Sequence, residues 1–163
     1  MKKILSVDAE KCTGCRTCEL VCSFHHENEF VPAKSRIHII KWEETGLDIP
    51  IVCQQCDIPV CENVCPVKAI RRDNETGAML VDYDTCIGCR MCIMACPLGA
   101  LYPDKEKKRI IKCDLCDGDP MCVKFCPSSA VQYSTPAKAM LMKKRSAAEK
   151  ISEFVRLNIN TQA

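Results

Sequence analysis

The chain has 163 residues, a formal net charge of +2 at pH 7, 16 cysteines and only 5% aromatic residues. That length allows one domain or two small ones, and so few aromatics are a thin supply for an ordinary packed core. No run of about 18 apolar residues is present, which excludes a membrane-spanning helix, and the start Met1 to Asp8 has no apolar stretch of a secretory signal. We expect a cytoplasmic protein whose thiols stay free, rather than a disulfide scaffold.

In chain order, Ile4 to Asp8 reads as an edge strand. The first cysteine group follows, Cys12, Cys15, Cys18 and Cys22, spaced C-x2-C-x2-C-x3-C. Ser23 comes next, so a helix is free to continue through Asn28. Residues 36–42 and 49–52 have strand composition around a turn at Thr45 and Gly46. The second group is Cys53, Cys56, Cys61 and Cys65, spaced C-x2-C-x4-C-x3-C, then Pro66. Residues 69–72 and 78–82 form a predicted hairpin closed by residues 73–77.

The third group is Cys86, Cys89, Cys92 and Cys96, again C-x2-C-x2-C-x3-C, followed by Pro97. This is the iron–sulfur run of bacterial ferredoxins. Proline has no N–H to donate and directs the chain away from the site. A further hairpin is predicted from 100–102 and 109–112, around a charged loop. The fourth group is Cys113, Cys116, Cys122 and Cys126, spaced C-x2-C-x5-C-x3-C, then Pro127. Ala130 to Tyr133 is a last strand. After Thr135 and Pro136, an N-cap and a first helical residue, residues 137–157 lack Gly and Pro. Met140, Ala147, Ile151, Phe154 and Val155 fall near one face, which predicts an amphipathic helix.

The groups repeat. Residues 7–18 match residues 81–92 at an offset of 74, and the second and fourth groups match at an offset of 60 to 61. Four groups of four cysteines suit four [4Fe–4S] clusters with no ligand left over. Zinc sites favour two C-x2-C pairs or mixed Cys/His sets, and triple-cysteine runs with trailing Cys-Pro fit iron–sulfur better. With four clusters the net charge falls to about −6, which argues against nucleic-acid binding. No nucleophile elbow, phosphate loop or dinucleotide fingerprint is present, so electron relay without catalysis is the expected role. Gly14 and Gly88 stand where backbone approaches a cluster closely. Arg16 and Arg90 are expected to favour reduction nearby, and Asp114, Asp117 and Asp119 to oppose it. His25, His26, Trp42 and the Lys105 to Arg109 run are candidate partner contacts, and His38 is expected to be exposed.

The four groups over residues 5–133 resemble the four-cluster ferredoxin-type subunits of molybdopterin and tungstopterin oxidoreductases. The stretch Cys22 to Ile37 looks most like the small subunits beside tungsten aldehyde oxidoreductases and related benzoyl-CoA reductases. The resemblance implies an α+β fold of duplicated two-cluster ferredoxin-like halves with crossed ligation. The outer half would use the first and fourth groups: Cys12, Cys15, Cys18 with Cys126, and Cys113, Cys116, Cys122 with Cys22. The inner half, residues 49–112, would pair Cys53, Cys56, Cys61 with Cys96, and Cys86, Cys89, Cys92 with Cys65. The body would span residues 1–135, with residues 136–163 a helix and tail for docking a partner. It implies an electron wire between a tungsten- or molybdenum-pterin subunit and an external carrier, a flavin subunit or a soluble ferredoxin. The alternatives are a formate dehydrogenase or hydrogenase subunit, or a free-standing polyferredoxin.

Overall fold

The computed structural model describes the backbone over residues 2–160 and side chains over residues 2–149, 151 and 152. Among the described residues, eight short strands form four separate antiparallel ribbons. Strand β1 (Ile4–Val7) pairs with β8 (Val131–Ser134), Leu5 opposite Tyr133, so the two ends of the body meet. The other ribbons are local hairpins: β2 (His38–Trp42) with β3 (Leu47–Ile51), β4 (Ile70–Arg72) with β5 (Met79–Val81), and β6 (Leu101–Asp104) with β7 (Arg109–Lys112). The hairpin turns fall at the predicted Gly-bearing or charged loops.

Helix α1 (Thr17–Glu27) carries the last two cysteines of the first group, and three short helices carry others: α2 (Val60–Asn63), α3 (Met91–Ala95) and α4 (Met121–Lys124). Helix α5 (Pro136–Asn160) is the last described element. The Thr135 hydroxyl accepts the Lys138 N–H at 3.4 Å, as an N-cap does. Helix and hairpins agree with the α+β class.

The sequence repeat is written in the backbone as well. Gly14 and Gly88 have φ +61° and +66°, and Arg16 and Arg90, each just ahead of a helix, +60° and +67°. The Cys-Pro exits also match. Lys68, Gly99 and Ser129 each donate an N–H to the carbonyl of the cysteine three residues back, at 3.2 Å in all three, and each is left-handed. After Cys22 no such turn forms. Ser23 replaces the proline, stays fully buried and donates to the Leu20 carbonyl at 3.0 Å. Its hydroxyl accepts the Val31 N–H at 3.1 Å, which draws the loop after α1 back onto the helix.

Among the described residues, two apolar clusters make the core. The larger packs Leu5, Ile37, Ile39, Val52, Leu115 and Val131 around Cys18, Cys22, Cys53, Cys113 and Cys122. The smaller packs Ile70, Met79, Leu101 and Ile110 around Cys92. Sulfur thus occupies volume that aromatic rings fill in other small domains. On α5, Ala139 is buried while Met140, Leu141 and Ile151 are exposed. Phe154 and Val155 lie outside the described side chains. No described helix is long and apolar enough to cross a membrane.

Candidate metal centres

All sixteen cysteines are free of disulfides. One pocket is lined by Cys12, Cys15, Cys18 and Cys126 between Ile39, Pro50 and Val131. Residues over a hundred positions apart meet there because β1 and β8 pair. A second pocket is lined by Cys22, Cys113, Cys116 and Cys122, with Leu5, Ile37 and Leu115 as walls. In both, three thiols come from one group and the fourth from the other.

The inner groups also approach one another. Cys61 feels the charges of Cys53 and Cys96. Cys86, Cys92, Cys61 and Cys96 rim or occupy the smaller core, and Cys89 acts on Cys92. Cys65 follows α2, which packs on α3, and its sulfur accepts the Ala69 N–H at 3.3 Å. Cys56 is exposed, as are Cys15 and Cys89.

These pockets suit an iron–sulfur cluster. Their donors are soft thiols, which select iron–sulfur or zinc over hard cations, and their walls are apolar. Burial pushes Cys18 up to about 12 and Cys92 and Cys116 to about 11, so a bound metal must displace the proton. N–H groups aim at sulfur: Arg36 N–H to Cys22 Sγ at 3.3 Å repeats the Ala69 contact. Such bonds tune cluster potentials.

Charged neighbours of the cysteines differ in their surroundings. Arg16 Nε binds the buried Glu19 carboxylate at 3.2 Å, so its charge is answered locally. Arg90 is exposed. Asp114 lines a cysteine pocket; Asp117, although exposed, still acts with Asp114 on the Cys116 thiol, and Asp119 is exposed. His26 joins α1 to the fourth group: Nδ1 lies 2.8 Å from the Cys22 carbonyl and Nε2 3.0 Å from both Asp114 oxygens. Burial works against the charged imidazole, but Asp114 outweighs it and raises His26 to about 10; Asp114 is correspondingly held at about 2. His26 is therefore a structural tie beside the site rather than a surface contact. His38 is half-buried against Tyr102, ring centroids 4.0 Å apart, and not exposed as its strand position suggested. Trp42 is 49% exposed.

The charged loop also folds back on the body. Lys107 reaches Glu27 at 2.6 Å, and the Arg109 guanidinium sits 4.2 Å from the Tyr83 ring centroid. The residue that sequence reading missed is Lys112. It is 3% exposed, and Nζ lies 3.3 Å from Cys53 Sγ. Its only sequence signal is its place directly before Cys113.

Comparison with known proteins agrees. Residues 45–136 match a 4Fe-4S dicluster domain and residues 5–25 a 4Fe-4S binding domain. The chain is 42% identical over 122 residues to the putative electron transport protein YsaA of Escherichia coli, covering 69% of this chain and 75% of that one. It is 41% identical over 91 residues to the polyferredoxin-like subunit of aliphatic sulfonate oxidoreductase from Pyrococcus furiosus, 56% of this chain and 52% of that one. It thus spans only about half the length of that relative. In fold it resembles the active site complex BamBC of benzoyl coenzyme A reductase, with a TM-score of 0.50 at 24% identity over 94% of this chain and 96% of that one. The cysteine pockets, the repeated cluster loops and these matches together make the chain a member of the 4Fe-4S dicluster ferredoxin family of iron–sulfur electron-transport proteins.

Proposed function

We propose that the chain carries four [4Fe–4S] clusters as an electron wire inside a larger oxidoreductase, itself performing no catalysis. The ligand sets are those of crossed ligation: Cys12, Cys15, Cys18 and Cys126; Cys53, Cys56, Cys61 and Cys96; Cys86, Cys89, Cys92 and Cys65; Cys113, Cys116, Cys122 and Cys22. The observation that carries this reading is the pair of pockets in which three cysteines of one outer group meet the fourth of the other. Full cysteine ligation leaves no iron open to substrate. The clusters supply one-electron chemistry. The protein supplies thiolates, apolar walls, and N–H groups on sulfur.

The partner in this reading is a tungsten- or molybdenum-pterin catalytic subunit, with an external carrier, a flavin subunit or a soluble ferredoxin at the other end, in the cytoplasm. The name of the sulfonate oxidoreductase relative supports a place in a multi-subunit enzyme. The body is residues 1–135, and α5 is the docking element, supported by the exposure of Met140, Leu141 and Ile151. Two measurements test this. Anaerobically purified protein should hold roughly sixteen irons and as many sulfides per chain, and a content near eight overturns the four-cluster count. Native pull-down should recover a pterin-bearing subunit, and deletion of residues 137–163 should lose it. Full-stoichiometry recovery by the truncated chain overturns the role of α5. A free polyferredoxin, recovering no partner, overturns the subunit reading.

A further inference from the structure

Lys112 closes β7 and is buried, with the three hydrogen bonds of its ammonium on the cysteine side. They run to Cys53 Sγ at 3.3 Å, to the Cys113 carbonyl at 3.2 Å and to Gln55 Oε1 at 3.4 Å. Among the described residues no carboxylate lies within ion-pair distance of it. The other deeply buried cation, Arg36, has the Glu27 carboxylate at 2.9 Å. A buried ammonium without a counter-charge is strongly disfavoured, and the group within its reach that can carry negative charge is the Cys53 sulfur.

Gln55 holds the ammonium in place. It is 1% exposed, and its backbone is left-handed at φ +50°. Its Oε1 accepts the Met79 N–H at 2.8 Å as well as Lys112, and its Nε2 donates to the Cys113 carbonyl at 3.1 Å. Lys112 and Gln55 therefore clamp the second group to the fourth, where the inner half meets the outer half.

We propose that Lys112 is the electrostatic junction of the two halves: it raises the reduction potential of the cluster bound through Cys53 and eases the repulsion between that cluster and the one bound through Cys113. Reduction adds one electron, and so one negative charge, to a cluster. A charge-assisted bond to its thiolate in a dry setting favours the more negative form. The inference rests on the ligation proposed above.

The test uses the full chain, purified anaerobically, with iron content measured first and potentials then read by EPR-monitored titration. In Lys112→Met, which keeps the aliphatic stem, one cluster should need a lower potential. At fixed potential its reduced-to-oxidised ratio should fall about tenfold or more, equivalent to about 59 mV for a one-electron couple. A neighbouring cluster should shift less, and Lys112→Arg should stay close to the parent. A fully loaded Lys112→Met protein with all potentials unchanged overturns the proposal. Parent protein with only two clusters refutes the ligation reading instead. Should Lys112→Met fail to load, the parent protein labelled with ε-15N lysine decides by pulsed EPR. A 15N coupling at a reduced cluster supports the contact, and its absence overturns it.

Discussion

Glu27→Gln should destabilise the protein far more than removing any of its exposed partners. Glu27 ends α1 with its side chain 5% exposed. Its carboxylate binds Arg36, equally buried, at 2.9 Å, Lys107, 48% exposed, at 2.6 Å, and Arg109 at 3.7 Å. Counting ion pairs would spread the effect over three cations. Burial argues otherwise. An exposed pair contributes at most about 1 kcal/mol, whereas removing one partner of a buried pair costs about 3–5 kcal/mol because the other charge stays desolvated. The amide oxygen of Gln still accepts from Arg36, so the lower figure, about 3 kcal/mol, applies. For a chain of this size that is roughly 6–12 °C in apparent unfolding midpoint. Lys107→Met should cost no more than about 1 kcal/mol, or roughly 2–4 °C. The penalty should also depend on pH. Burial alone would raise the Glu27 carboxyl, but Lys107 and Arg36 outweigh it and hold it below 4.5. A depressed folded value means that the stabilisation is present above pH 4.5 and is lost as pH falls through the folded value. The gap between parent and Glu27→Gln should therefore narrow in acid. Anaerobic thermal scans of the cluster-loaded protein from pH 8 down to pH 4 measure it. Equal costs for Glu27→Gln and Lys107→Met, or a gap unchanged by pH, would refute the reasoning.

Two further outcomes follow from the cysteine loops. Cys96→Ser should lower iron content by about a quarter under the proposed ligation, with one EPR signal lost or altered; unchanged iron and spectra would remove Cys96 from the ligand set. Gly88→Ala should cost more than Gly46→Ala, although both glycines have φ near +65° and share a left-handed penalty of about 1–2 kcal/mol. A Cβ on Gly88 would run into the Lys108 carbonyl, while one on Gly46 meets open space. Equal midpoints for the two variants would show that the loop around Lys108 yields freely.

The local architecture was legible because each cluster loop is self-describing. The spacing of Cys86 to Cys96 fixes a loop and a short helix, and Pro66, Pro97 and Pro127 announce three turns that share one hydrogen bond. The three hairpins were legible from strand composition on either side of a turn. Pairing across the chain was not legible from residues: nothing in Ile4 to Val7 names Val131 to Ser134 as its partner. Only the family resemblance anticipated that the first and fourth groups belong together. Buried charge was the other blind spot. Arg109 to Lys112 reads as a strand with a polar residue at each end, and burial of Lys112 depends on both faces of β7 being covered. Arg16 and Arg90 are legible because they sit inside the cysteine runs, but that Glu19 pairs with the first and that the second is exposed is not.

The pairing of β1 with β8 sets an order of birth for the molecule. The first cysteines to leave the ribosome are Cys12, Cys15 and Cys18, yet Cys126, which lines their pocket, is made more than a hundred residues later. At 5–20 residues per second of synthesis, the N-terminal thiols wait roughly 5–20 s for it. The second and third groups, only 33 residues apart at their first cysteines, can meet well before that. Under the proposed ligation, maturation should therefore run from the inside out: a chain halted before Cys126 could fill its central sites but would carry Cys12, Cys15 and Cys18 bare at its head, open to oxidation.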